Sequence, residues 1–146
     1  MAFRGSFDFT LDAKNRLTIP VAFRGPFAEG VVLARLHDAE NCVSVWRTAD
    51  FDAHLASLLE GLHPLSEDHA TLTRFYWANA RDTELDAAGR VMVPANLIEL
   101  TGLEKDVTVS GAGNRLEVRN RDTWRKVNDE LERKSRQIRP AVGNTA

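Results

Sequence analysis

Hydrophobic side chains alternate with polar ones along much of the chain, and this period of two predicts short β-strands. A first strand carries apolar residues on one side from Phe3 to Leu11. Two shorter strands, residues 17–19 and 91–93, each end at a proline, which cannot donate a hydrogen bond to a strand ladder. The remaining predicted strands form two hairpins, residues 31–35 with 43–46 and residues 107–110 with 115–119.

Between these two sets of strands, apolar residues recur every three or four positions, which is the spacing of an amphipathic helix. The pattern predicts one helix over residues 51–62, with Thr48 or Asp50 available to cap its start. A second helix is predicted from about residue 66 to residue 79. The first set of strands is therefore followed by a pair of helices.

Helical spacing also appears within and after the second set of strands. Residues 94–100 predict a short helix that ends near Gly102, a residue type suited to a helix C-terminus. A last helix begins near Trp124, and we expect it to fray beyond about Lys134, where its apolar stripe ends. The three tryptophans follow apolar periodicities, so we expect core packing for all of them: Trp46, Trp77 and Trp124.

The chain contains an internal repeat. Residues 11–20 align with residues 85–94 at an offset of 74, and both segments keep Leu, Asp, Ala, Arg and Pro at matching positions. Residues 43–46 and Phe51 match residues 116–119 and Trp124 at an offset of 73. This tandem duplication predicts four regions: a first repeat (5–48), a helical connector (49–79), a second repeat (80–123), and a C-terminal helix with a basic tail (124–146).

Each repeat has a tight turn between its first two strands, at the motif Asp-Ala-x-x-Arg. Asn15 and Gly89 occupy the same position of this turn, and these residue types tolerate a positive φ best. We therefore expect a left-handed backbone there. The aspartates, Asp12 and Asp86, are present in both copies and fit a structural role, capping the turn and pairing with the following arginine.

Composition places the chain among globular proteins, since 43% of its 146 residues are hydrophobic and 27% are charged. No apolar run approaches the roughly 20 residues of a membrane helix, and the first residues lack the apolar core of a signal peptide. The only cysteine, Cys42, allows no internal disulfide. These features predict a cytoplasmic protein.

Charge is distributed unevenly although the formal net charge is only −2. Residues 1–24 hold four basic and two acidic side chains, whereas residues 25–73 hold two basic and eight acidic ones. A basic region on an otherwise acidic protein hints at a localised anion site, although ordinary solvated surface charge explains the same distribution.

The doubled motif, residues 12–16 and 86–90, resembles the SpoVT/AbrB type of DNA-binding domain, and two such motifs in a chain of this length resemble the MraZ family. The resemblance implies an α+β fold of two tandem swapped-hairpin β-barrel repeats that form a pseudo-dimer, each followed by helices. It also implies a nucleoid-associated transcriptional regulator that forms a ring, an octamer or larger, on repeated sites upstream of its own operon of division and cell-wall genes. Asn15 departs from the glycine that the family more often has.

The first repeat carries more positive charge at its turn than the second. Lys14 and Arg24 correspond to Ala88 and Ile98, and only the turn arginine is present in both copies. Clustered cations bind phosphates, and arginine also grips guanine through two hydrogen bonds. The predicted contacts to double-stranded DNA are Lys14, Asn15, Arg16, Arg24 and Arg4, with Arg90 as a secondary candidate and Asp12, Asp86 and Gly89 as structural turn residues.

Other classes of function have weaker support. The spacing of the four histidines fits no zinc signature, and no phosphate loop, nucleophile elbow or paired catalytic histidine motif is present. We therefore predict no metal, cofactor, membrane or small-molecule substrate, and a protein that is not an enzyme. The main alternative is an antitoxin-like interaction module on the same fold, against which the short basic tail after residue 132 argues.

Overall fold

The computed structural model describes residues 2–39 and 41–139. Its strands are β1 (Ser6–Thr10), β2 (Arg16–Thr18), β3 (Val31–Ala34), β4 (Val43–Trp46), β5 (Ala80–Thr83), β6 (Arg90–Met92), β7 (Asp106–Gly111) and β8 (Arg115–Asn120). Its helices are α1 (Val21–Arg24), α2 (Thr48–Leu59), α3 (Glu67–Ala78), α4 (Ala95–Thr101) and α5 (Arg121–Ser135), and a 3-10 turn (Gly25–Phe27) follows α1. The predicted mixed α+β class is confirmed.

The two repeats exchange strands within one sheet. Six antiparallel strands lie in the order β1-β7-β8-β4-β3-β5, while β2 and β6 pair separately as a two-stranded ribbon. Strand β1 of the first repeat pairs with β7 of the second, and β5 of the second repeat pairs with β3 of the first. The order is the same from either end once the repeats are interchanged, which is a pseudo-two-fold arrangement. The described sheet stays open at β1 and β5, so this pairing shows no closed barrel.

The main core fills the space between the six-stranded sheet and the β2–β6 ribbon. Val31 and Leu33 of β3 face it together with Val107 and Val109 of β7, and Leu17 closes it from the ribbon side. Alternate residues of β3 and β4 point to the opposite face, where Val32 and Trp46 pack against α2 and α3. The interior is therefore built by both repeats at once, because strands of both repeats face the same space.

The three tryptophans differ in how deeply they are buried. Trp46 is fully buried on the outer face of β4, as predicted. Trp124 is half-buried at the start of α5. Trp77 is 45% exposed, so its predicted place in the core is wrong. Its neighbour Tyr76 takes the buried position of α3 instead, because only one face of that helix lies against the sheet.

Most of the observed helix ends agree with those predicted from the sequence. Gly102 ends α4 with a φ of 70°, and Ser66 caps α3 by accepting a hydrogen bond from the backbone N–H of His69. Helix α5 ends at Ser135, one residue beyond the predicted point. The predicted cap of α2 is wrong. The N-cap residue of this helix is Arg47, and no side chain accepts a hydrogen bond from the first turn. The side chain of Asp50 instead forms a salt bridge with Arg47.

Candidate nucleic-acid interface

The first Asp-Ala-x-x-Arg turn is organised around a single carboxylate. Oδ1 of Asp12 accepts hydrogen bonds from the backbone N–H groups of Lys14 and Arg16, each at 2.9 Å. Its Oδ2 accepts from Nε of Arg16 at 2.6 Å. The same carboxylate therefore satisfies the backbone of the turn and holds the arginine side chain in place.

The second turn repeats this geometry residue for residue. Asp86 accepts from the backbone N–H groups of Ala88 and Arg90 at 2.9 Å and from Nε of Arg90 at 2.9 Å. Backbone hydrogen bonds, chiefly from the arginine position of each turn, lower the pKa of both aspartates below its usual value. Each carboxylate is an integral acceptor of its turn.

Backbone hydrogen bonds join each turn to the other repeat across the pseudo-two-fold axis. Asn15 and Gly89 have φ values of 57° and 77°, which confirms the predicted left-handed backbone. The carbonyl of Asn15 accepts from the backbone N–H of Val93, and the carbonyl of Gly89 accepts from that of Ile19, both at 2.9 Å. Each turn is therefore hydrogen-bonded to the residue that follows the ribbon strand of the other repeat.

The β2–β6 ribbon presents both turn arginines on one surface. Leu17 lies opposite Val91, and both side chains are buried in the core. Because side chains alternate along a strand, the flanking positions of both strands point outward. We call this outward surface of the ribbon, together with the two turns, the ribbon face; its strand positions are Arg16, Thr18, Arg90 and Met92.

The ribbon face joins positive charge from both repeats, whereas the sequence showed only that the first turn carries more positive charge than the second. The hydrogen bonds to Asp12 and Asp86 use Nε of Arg16 and Arg90, which directs the terminal nitrogens of Arg16 toward an outside acceptor. Nη1 of Arg90 also lies 4.0 Å from Oδ2 of Asp12. Arg90 is thus shared between two carboxylates, whereas the salt bridge of Arg16 is to Asp12.

Two further cations of the first repeat belong to this surface. Lys14 is exposed on the first turn, and its backbone is fixed by Asp12. Arg24, at the end of α1, donates from Nε to the carbonyl of Ile19 and lies directly against Gly89 of the second turn. The ribbon face therefore carries four basic and two acidic side chains.

Arg4 is not brought to this cluster. It precedes β1, where Phe3 bridges to Gly113, whereas the Lys14 turn follows the other end of that strand. Five residues of strand separate the two positions, about 17 Å at the usual rise per residue. Sequence reasoning also missed Met92, which is 56% exposed on the ribbon face; its alternation with the buried Val91 and Val93 was the signal that could have found it.

Replacement of Asp12 by alanine is expected to lower the melting temperature, because the turn loses its common acceptor. The pKa of Asp12 is lower in the folded state than in the unfolded state, where it is near 3.9. The ionised carboxylate therefore stabilises the fold above the unfolded pKa, and this stabilisation is lost as the pH falls through the folded pKa. Thermal melts of wild type and Asp12→Ala should therefore differ at pH 7, and the difference should shrink as the pH falls below the unfolded pKa of the carboxyl group. A difference that persists undiminished in acid would contradict this role.

The rest of the described chain offers little catalytic chemistry. Burial raises the pKa of the Cys42 thiol to about 12, so the thiolate is scarce at neutral pH. Among residues 2–39 and 41–139, no three His, Cys, Asp or Glu side chains are grouped to hold a metal ion. None of the described helices has the length and apolarity to cross a bilayer.

The sequence of this chain is similar to those of known proteins. Residues 2–75 and 77–141 match a family described as "MraZ protein, putative antitoxin-like". The chain is 34% identical to the transcriptional regulator MraZ of Thermoanaerobacter pseudethanolicus over 82% of each chain. It is 33% identical to that of Mycoplasma capricolum, over 87% of this chain and 94% of the relative, and 38% identical to that of Micrococcus luteus, over 84% and 83%.

Proposed function

Since this chain belongs to the MraZ family, we propose that it regulates transcription by binding double-stranded DNA through the ribbon face. The family is one of transcriptional regulators, and the chain is not an enzyme. The observation that carries the proposal is that two turn arginines and two further cations lie close to one another at the ribbon and its two turns. A two-stranded ribbon is narrow enough to enter the major groove of B-DNA.

The cations divide into two roles by how firmly they are held. Lys14 is exposed on the turn, which suits contact with phosphate and the release of counterions. Arg16 is fixed by Asp12 through Nε, and its terminal nitrogens are the pair that bonds O6 and N7 of guanine. Arg24 and Asn15 flank this position. Arg90 is the secondary candidate for contact with a base. Arg4 would reach only phosphates farther along the duplex.

We further infer that the protein acts as a ring of copies, an octamer or larger, on repeated DNA sites. Four cations on one ribbon face make few phosphate contacts, which gives weak binding at physiological salt. Repeating the face around a ring raises affinity through effective concentration. The proposed sites lie upstream of its own operon of division and cell-wall genes, and the proposed location is the nucleoid in the cytoplasm.

An antitoxin-like interaction module is the alternative, and the description of the family mentions it. The three relatives named above are all transcriptional regulators by name. The ribbon face also carries the cation cluster that DNA binding requires, and regulation through DNA is therefore the function we favour.

Fluorescence anisotropy with the DNA immediately upstream of the gene tests the proposal. We expect binding at least tenfold tighter to this duplex than to a shuffled duplex of equal length and composition at about 150 mM salt. Equal affinity for the two duplexes would refute sequence-specific recognition. Light scattering of the free protein runs in parallel, and a stable monomer at micromolar concentration would refute the ring.

A further inference from the structure

The outward strand positions of the ribbon face include one large apolar side chain. Met92 is 56% exposed, whereas the residues on either side of it, Val91 and Val93, are each 1% exposed. The other outward strand positions are polar or basic: Arg16, Thr18 and Arg90. A single exposed apolar residue needs no explanation on a general surface, so the neighbours of Met92 decide what it can do.

The register of the ribbon sets Met92 beside Arg16. The two residues lie directly opposite each other where β2 pairs with β6. Side chains of directly opposite residues lie on the same face of an antiparallel pair, with their Cβ atoms about 4.5–5.5 Å apart. This separation corresponds to one or two base steps of about 3.4 Å each. The two side chains can therefore reach neighbouring base pairs at the same time.

The two halves of the ribbon differ at this position. Thr18 corresponds to Met92 at the offset of 74 residues, and it lies opposite Arg90 just as Met92 lies opposite Arg16. The threonine hydroxyl donates and accepts hydrogen bonds, whereas the methionine thioether is at most a weak acceptor. The two arginines are therefore equivalent in the repeat, but one has a polar neighbour and the other an apolar one.

The chemistry of the major groove indicates what an apolar neighbour can recognise. Base edges are distinguished there by hydrogen-bond donors and acceptors and by the C5 methyl group of thymine. A thioether side chain gains free energy when it covers that methyl group, and its flexible bonds let it follow the position of the methyl group. The same side chain is disfavoured against a base whose donor or acceptor it would leave without a partner.

We propose that Met92 is a specificity-determining residue that contacts the C5 methyl group of a thymine next to the base bound by Arg16. The inference rests on the proposed function, in which the ribbon face binds double-stranded DNA, and it names the base that is read beside the arginine. Because the contact is apolar and involves no phosphate, it contributes to discrimination between sequences and not to the salt dependence of binding.

Replacement of single thymines by deoxyuridine tests the contact, because uracil pairs as thymine does and lacks only the methyl group. In fluorescence anisotropy with a duplex that carries one recognition site, one such replacement should weaken wild-type binding about fourfold, the value of one buried methyl group. Met92→Ala should bind the thymine duplex about as weakly and should no longer distinguish it from the uracil duplex. Met92→Leu keeps an apolar side chain and should retain the distinction.

A matched control separates this effect from a general loss of apolar surface. Leu65 is 90% exposed in the loop between α2 and α3, away from the ribbon in the sequence, and Leu65→Ala should distinguish thymine from uracil as wild type does. Circular dichroism and light scattering should show the wild-type fold and mass for all three variants. The thymine replacements themselves need no protein variant, so the first result does not depend on folding.

The remaining outcomes overturn the proposal. Wild-type binding that no thymine replacement weakens would show that no methyl group is read. If Met92→Ala still distinguishes thymine from uracil, another residue makes the contact. An equal loss by Met92→Ala on every duplex, whatever its sequence, would indicate a side chain that wedges between base pairs. Wild type without preference for the specific duplex refutes the proposed function, whereas preference without a thymine effect refutes only this inference.

Discussion

The Arg16→Ala variant is expected to bind a duplex with one recognition site roughly 5- to 150-fold more weakly than wild type, a cost of about 1–3 kcal/mol. The side chain is held by Asp12 through Nε, so its terminal nitrogens are positioned before DNA arrives and little conformational entropy is lost on binding. Fluorescence anisotropy should show that the loss applies to the specific duplex and that preference relaxes at one base position.

Two neighbouring variants are the controls for this result. Lys14→Ala removes a phosphate contact, so it should weaken all duplexes alike and reduce the slope of log affinity against log salt by about one. Arg90→Ala should cost less than Arg16→Ala, because the Arg90 guanidinium lies near the carboxylates of both Asp86 and Asp12. Loss of specific binding in Arg90→Ala with retention in Arg16→Ala would assign recognition to the other repeat.

The Gly89→Ala variant is expected to lose about 1–3 kcal/mol of stability, a fall of several degrees in melting temperature for a chain of this size. Two effects add. Residue 89 has a φ of 77°, which strains any residue with a Cβ. An added Cβ would also fall within 2.7 Å of Cδ of Arg24 and closer still to its Nε, so the guanidinium must move.

The equivalent position of the first repeat supplies the matched control. Asn15→Gly changes the same turn position in the permissive direction, so its melting temperature should stay close to that of wild type. Because Arg24 lies on the ribbon face, Gly89→Ala should also weaken DNA binding at temperatures where the variant is fully folded. Unchanged stability in Gly89→Ala would mean that Arg24 and the turn readjust freely, contrary to their close packing.

Local patterns determined the parts of this protein that depend on neighbours in the sequence. The repeat of Asp-Ala-x-x-Arg defined two equivalent turns, and the residue types at Asn15 and Gly89 were sufficient to predict their left-handed backbone. Alternation indicated short strands at residues 17–19 and 91–93, and Gly102 marked the end of α4. In each case the cause is local: a steric limit on φ, a period of two, or a helix terminus that needs a cap.

Only the tertiary structure decided which elements meet. Residues 80–83 have no apolar alternation, and they form β5 because β3 of the other repeat offers a free edge. The exposure of Trp77 depends on which side of α3 faces the sheet. Arg16 and Arg90 are 74 residues apart, and their shared surface exists because β2 pairs with β6 across the pseudo-two-fold. A period of two sets the side on which a residue lies but not the strand beside it, since partner choice depends on packing of the whole chain.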